Sequence, residues 1–373
     1  MGRPGKIIAI GGGKGGVGKS IVALSMGVEY AIKGNKVVLA DLDLGAANLH
    51  TYLGIFENTP SIADFILGNV TRIEDVIIET PVKNLRLLSG SRFVPGMANP
   101  AHWTKLKIMR HLRSIDTDVL IIDLGAGVHY NTLDFFGLSD HGIIVTMPEP
   151  GAVMNAYGFL KAALYRRLQG ILKKHPLLSL IGNNKERKMT DADITFDEIE
   201  KFIKEKAPDM MPIIKEIREG FRPMLIINRM SGSQYRILIK NLLSLCRNKL
   251  GIEVLHTGNI PDLPEIRNYL LNIPGFLSSP SGRPYTSAIS EIVETIKRQE
   301  LKSRTERSQI SFRADFEDEE IEEIMGLIDS LDDSLLDGST REQWKLRLFF
   351  RPSEVLRFLV EKGINRPFFY DNT

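Results

Sequence analysis

GGGKGGVGKS, residues 11 to 20, decides the fold. It contains G-x-x-x-x-G-K-[ST] and lies between the β-branched run KIIAI (6–10) and the apolar helical stretch SIVALSMGVEYAI (20–32). Strand, loop, helix is the order in which this motif cradles phosphate. Glycines let backbone N–H groups curl around phosphate oxygens that side chains would block, and the following helix aims its positive end at the same charge. Gly13, Gly15, Gly16, Val17, Gly18, Lys19, Ser20 and Ile21 are therefore the expected nucleotide contacts. Lys19 is expected at the β- and γ-phosphates, with the Ser20 hydroxyl as a magnesium ligand.

The same rhythm continues on either side. KVVLA (36–40), LRLLS (85–89), VLIID (119–123), GIIVT (142–146), PMLIIN (223–228) and IEVLH (252–256) are short apolar runs separated by helical stretches. That pattern predicts an α/β fold, a mainly parallel, doubly wound sheet with helices on both faces, whose strands are apolar throughout because both faces are buried. Two regions depart from it. Residues of about 165–221 read as a charged helical insertion in which TFDE (195–198) is a capping box opening a helix through Lys206. The sheet pattern ends near residue 300, giving an expected P-loop domain over 1–300 and a tail over 301–373. The tail has an acidic part, DFEDEEIEEIMGLIDSLDDSLLD, with Ile321, Ile324, Met325 and Ile328 on one helical face, and a basic aromatic part, WKLRLFFRPSEVLRFLVEKG.

Composition removes several classes of function. The single Cys246 excludes a disulfide framework, a paired-cysteine zinc site and an iron–sulfur cluster built by one subunit. The seven histidines show no metal-binding spacing. A net charge of +2 gives no overall field for nucleic acid, so any such contact would need a local patch. The N-terminus lacks a signal-peptide pattern and no run approaches about 18 apolar residues, which points to the cytoplasm with peripheral membrane contact left open.

Lys14 is a second lysine inside the loop, which the bare motif does not require. With it, KGGVGKS resembles the deviant P-loop of the MinD and ParA ATPases. The resemblance implies ATP and Mg2+ as ligands, a homodimer that forms on ATP binding, and a Lys14 that crosses to the partner's ATP. LADLDLGAANLH (39–50) places Asp41 and Asp43 two apart, so that both could face a cation. By resemblance Asp43 orients the attacking water and Asp41 supports the magnesium shell. Asp123 in VLIIDLGAG would be a magnesium carboxylate, with Gly125 and Gly127 letting a backbone N–H approach the γ-phosphate. The family also implies an adenine pocket from Asn228, Arg229, Pro261 and Asp262, in which the Asn amide favours ATP over GTP.

Within that family, DLDLGAANLH, LLSGS, ANP, DLGAG and TMPEPGAVMNAY are most similar to the FlhG (FleN, YlxH) branch beside MinD. That branch implies a spatial or number regulator of a structure such as the flagellum or division site, with an unidentified protein partner. It also implies a membrane-gripping tail, for which Trp344, Lys345, Arg347, Leu348, Phe349, Phe350 and Arg351 have the composition. Pro352 interrupts that segment, and packing of the basic segment on the acidic helix or on the core is the equal alternative. DNA partition ATPases and P-loop amidating ligases remain the other readings.

Overall fold

The apolar runs form one eight-stranded sheet: β1 (Lys6–Gly11), β2 (Val37–Leu42), β3 (Ile77–Glu79), β4 (Leu85–Leu88), β5 (Val119–Leu124), β6 (His141–Thr146), β7 (Met224–Met230) and β8 (Leu255–Pro261). Their spatial order is β3-β4-β2-β5-β1-β6-β7-β8, parallel except for β3 against β4. This computed structural model describes residues 4–56, 59–90, 102–172, 196–206, 208, 211–232, 236–305, 318–336, 341, 344, 352–364 and 366. In chain order its helices are α1 (Lys19–Ile32), α2 (Leu49–Tyr52), α3 (Ile62–Ile66), α4 (His102–Arg113), α5 (Tyr130–Gly137), α6 (Pro150–Leu172), α7 (Phe196–Lys206), α8 (Met211–Gly220), α9 (Arg236–Leu245), α10 (Ile273–Ser278), α11 (Arg283–Thr305), α12 (Asp318–Asp329) and α13 (Pro352–Glu361).

Alternation along the buried strands sends side chains to both faces, and each face has its own helices. On one, Leu24 and Met26 of α1, Phe276 of α10 and Ile289, Ile292 and Val293 of α11 pack with Ile8, Ile10, Leu39, Ile121 and Ile226. On the other, Phe136 of α5 and Phe159 of α6 meet edge to face with centroids 5.1 Å apart. A Cβ on Gly142 would lie 2.4 Å from the Phe136 ring and one on Gly11 2.8 Å from Phe159, so glycine at both positions lets the helices sit directly on the sheet.

Two strands differ from expectation. β3 is only three residues, IIE, too short to show a period, and it adds an antiparallel edge through Glu79 opposite Arg86. β8 lies three residues beyond the apolar run IEVLH, because its pairing with β7 extends through Gly258, Asn259 and Pro261. Gly258 has no β propensity, yet a Cβ there would come within 2.6 Å of Ile292, so packing of α11 selects it.

The chain divides into two compact units, residues 1–167 with 219–299, and residues 168–218 with 300–373. The first holds the whole sheet. The charged insertion and the tail, read as separate segments in the sequence, thus belong to the same unit. α6 runs unbroken to Leu172, so helix continues through the point where the insertion was expected to begin. α7 ends at Lys206 as the pattern predicts, while Thr195, and with it the capping box, lies outside the described residues.

In the second unit Arg218 bonds Glu200 at 2.6 Å and lies over the Phe196 ring. Ile324 and Ile328 of α12 form a buried cluster with Leu331, Leu336, Trp344 and Val355, Leu356, Phe358 and Leu359 of α13. Met325 packs on its margin, and the side chain of Ile321 lies outside the description. Trp344, 6% exposed, stacks on Phe358 with centroids 3.6 Å apart and planes 11° apart, and its indole N–H donates to the Leu336 carbonyl. Pro352 opens α13, where its missing N–H costs nothing. Lys345, Arg347, Leu348, Phe349, Phe350 and Arg351 lie outside the described residues. Trp344→Ala should destabilise this cluster by roughly 3–5 kcal/mol, the cost of deleting a buried aromatic ring. Urea unfolding followed by the tail's protease resistance measures this, and an unchanged midpoint would show that the stack carries no stability.

Candidate functional site

The loop after β1 is shaped by left-handed glycines, Gly16 at φ 76 and Gly18 at φ 93. Gly18 is also the N-cap of α1 and provides no side-chain hydrogen bond, so the first-turn N–H groups of α1 keep their capacity for an external acceptor. Nothing lies within 4 Å of a Cβ built on Gly15 or Gly16, whereas one on Gly13 would fall 2.0 Å from the Asn155 carbonyl. The loop is therefore open at its tip and pressed against α6 at its base. Val17 and Lys19 are buried, and Ile21 packs against the core below them.

Asp123 and Asp43 face this loop, with Asp41 beside Asp123. Asp41 and Asp123 are in register on adjacent strands, and Ile10 of β1 is in register with Asp123. The Ser20 hydroxyl lies beside Asp123 and acts to lower its pKa, and the charges of Asp123 and Asp43 both act on Lys19, whose pKa burial pulls down against their pull upward. Asp43 lies just beyond β2, its Oδ1 3.0 Å from the Cβ position of Gly125. Burial, then the Asp41 charge, pushes the Asp123 carboxyl well above the usual range. Its Oδ1 is buried without a hydrogen-bond partner. A buried acceptor left over beside a serine hydroxyl fits a hard cation. Among the described residues no three His, Cys, Asp or Glu side chains are grouped to hold a metal alone. The donor set suits Mg2+, which completes its shell with phosphate oxygens and water.

Asp41 has work of its own. Its Oδ1 accepts from the Asp43 N–H at 3.2 Å, and its Oδ2 accepts from those of Asn48 and Leu49 at 3.0 and 3.1 Å. It thus ties down both the segment that carries Asp43 and the start of α2. The sequence offers no sign of this, since it depends on the chain turning back after Leu44. Burial raises the Asp41 pKa to about 7 despite these bonds. The folded state then holds a proton that the unfolded chain, ordinary at 3.8, has lost. Stability of the metal-free protein should fall as pH rises above about 4, because Asp41 and its neighbour Asp123 both keep protons in the folded state that the unfolded chain has lost. Asp41→Asn should make that slope shallower, leaving the part due to the burial of Asp123, in urea titrations with chelator at several pH values. An equally steep slope in the variant would assign the effect elsewhere.

At the far end of the site, Asn228 and Arg229 close β7, with Pro261 in register with Met230 and the Asp262 N–H donating to the Met230 carbonyl at 3.3 Å. The four residues expected around a base are therefore side by side. Asn228 also donates from Nδ2 to the Val17 carbonyl at 2.8 Å, joining this end to the phosphate loop.

A family model for the CobQ/CobB/MinD/ParA nucleotide binding domain matches residues 8–272. The chain belongs to that family. Its relatives include the antiactivator FleN of Pseudomonas aeruginosa, 30% identical over 52% of this chain and 68% of that protein. The flagellum site-determining protein YlxH of Helicobacter pylori is 30% identical over 42% of this chain and 53% of its own length. The septum site-determining protein MinD of Escherichia coli is 26% identical over 64% and 91%. The resemblance to the FlhG branch beside MinD is thus borne out. Among solved structures, MinD of Pyrococcus horikoshii complexed with Mg-ADP superposes with a TM-score of 0.53 at 20% identity, covering 79% of this chain and 97% of that one. MinD of Pyrococcus furiosus gives 0.52 over 79% and 99%. At this identity the likeness shows the fold, a MinD/ParA-type P-loop sheet.

Two further contacts of this MinD/ParA-type site were not legible in the motifs. Lys14, 42% exposed along its side chain, pairs with Glu149 at 3.1 Å, from the MPEP turn that opens α6. Gly127, φ 94, donates its N–H to the Gly12 carbonyl at 3.2 Å, which ties the segment after β5 to the phosphate loop. The apolar side chains of Val128 and Met154, next in sequence to Gly127 and to the Asn155 that touches Gly13, are about half exposed. Among the described residues no helix is long and apolar enough to cross a membrane.

Proposed function

We propose that this MinD/ParA-family protein binds ATP with Mg2+, hydrolyses it, and cycles between monomer and ATP-held homodimer as a spatial or number regulator of a cellular structure. The observation that carries the reading is the group formed by Lys19, Ser20, Asp43 and Asp123, with one buried Asp123 oxygen unpartnered. In this reading the loop N–H groups and Lys19 hold the phosphates, Asp43 orients water, and Asn228, Arg229, Pro261 and Asp262 surround the base. Bound Mg2+, beside Ser20 and Asp123 with Asp41 behind them, would neutralise charge developing on the phosphates. MinD of Pyrococcus horikoshii, described as complexed with Mg-ADP, has the same fold.

Dimerisation is supported by Lys14, which bonds Glu149 outside the Lys19 group, and by the exposed Val128 and Met154, whose chain neighbours Gly127 and Asn155 touch the loop. The YlxH relative, a flagellum site-determining protein, supports a flagellar role, and the antiactivator FleN supports regulation through a protein partner. Burial of Trp344 against Phe358 favours a tail packed on itself, so membrane attachment would fall to other tail residues. Light scattering of purified protein with and without ATP, together with phosphate release, tests the proposal. ATP-dependent dimers that turn over ATP alone are expected. A monomer in ATP that needs a small carboxylate co-substrate would favour the amidating ligase, and ATP-dependent retention on DNA the partition ATPase.

A further inference from the structure

The side chain of Asn228, 5% exposed, makes two fixed bonds that agree on its orientation. Nδ2 donates to the Val17 carbonyl at 2.8 Å, and Oδ1 accepts from the Arg229 N–H at 2.9 Å. An amide has two N–H donors and two acceptor lone pairs, so one of each remains for a ligand. The bond to Val17 spans 211 residues of sequence and joins β7, inside the sheet, to the phosphate loop one residue before the N-cap of α1.

Three local features are built around this contact. Arg229 adopts φ 54, a left-handed conformation uncommon outside glycine, and the pairing of β7 with β8 shifts register between Ile227 and Met230. Such irregularities re-aim side chains at strand ends. Gly18 leaves the room: a Cβ there would lie 2.2 Å from Nδ2 of Asn228, so glycine is required by contact as well as by its φ of 93. The Val17 carbonyl precedes the peptide whose direction sets the first N–H groups of α1.

We infer that Asn228 is a positioning residue for the phosphate loop, holding the Val17–Gly18 peptide in its phosphate-binding direction while its remaining donor and acceptor meet the base. The inference rests on the nucleotide reading above and adds to it a mechanical link between base pocket and phosphate cradle. Loss of Asn228 therefore weakens binding of the phosphates even when no base is present. Asp262, which lies at the base end with no bond to the loop among those described, serves as the comparison.

The experiment is calorimetric titration of wild type, Asn228→Ala and Asp262→Ala with Mg-ATP and with magnesium tripolyphosphate, which has no base. Hydrogen exchange of the peptide covering residues 12–20 is followed in parallel. Asn228→Ala is expected to lose roughly tenfold in tripolyphosphate affinity, the effect of one buried hydrogen bond, and to exchange faster in the loop. Asp262→Ala is expected to leave tripolyphosphate binding unchanged. Wild-type affinity of Asn228→Ala for tripolyphosphate, with ATP affinity reduced, would overturn the inference and leave Asn228 as a base contact alone. Wild-type protein that binds neither ligand would overturn the nucleotide reading itself. If Asn228→Ala does not fold, Asn228→Ser, one heavy atom shorter and still polar, provides the same comparison.

Discussion

Lys19→Ala is expected to lower ATP affinity on the order of 100-fold, since charge-assisted bonds to phosphate are worth about 1.5–3 kcal/mol each and Lys19 supplies more than one. The lysine is buried beside Asp123 and Asp43. Its removal has a second effect in the same direction. Asp123, already pushed toward protonation by burial and by Asp41, loses an attractive charge and is driven further up. The metal-side acceptor is thus weakened together with the phosphate-side donor. Titration calorimetry with Mg-ATP checks this, alongside circular dichroism to show that the fold persists. Retained wild-type affinity in a folded variant would remove the phosphate-loop assignment.

Asp43→Ala should act on the opposite step. Asp43 is half-buried at the mouth of the site, held by the bond from its own N–H to Asp41, and faces Gly125. Its loss leaves Lys19, Ser20 and Asp123 in place, so binding should change only a few-fold. Hydrolysis should fall roughly 10²- to 10⁴-fold, the usual range for a group that orients or activates a reacting water. Single-turnover phosphate release measures it, and normal release would assign the water to another residue.

What the sequence discloses here depends on how far apart the interacting groups lie along the chain. The phosphate loop is contiguous, and its reading needs only residues 6–32. The parallel sheet follows from apolar runs whose burial on both faces leaves a pattern in each segment separately. Contacts that require chain reversal leave none. The bonds of Asp41 to Asn48 and Leu49, the pairing of Lys14 with Glu149, and the reach of Asn228 to Val17 are all of this kind. Edges also mislead. β8 is placed by its partner β7 and by α11, so Gly258, Asn259 and Pro261 enter a strand that their propensities oppose. In the tail, WKLRLFF reads as amphipathic whatever covers it. Only the stacking of Trp344 on Phe358 shows that its largest apolar side chain is already covered.

The central claim, a dimer whose two ATP sites each borrow a lysine, is tested most directly by mixing two inactive variants. Lys14→Ala should bind ATP nearly as wild type does, since Lys19, Ser20 and the loop N–H groups remain, yet fail to hydrolyse it. In a mixed dimer of Lys14→Ala with Asp43→Ala, one site has its own Asp43 and the partner's intact Lys14, while the other lacks both. Random pairing at equal concentrations should then restore roughly one quarter of wild-type turnover. Variants that stay inactive on mixing, although native mass measurement shows the mixed dimers present, would contradict the shared-site account.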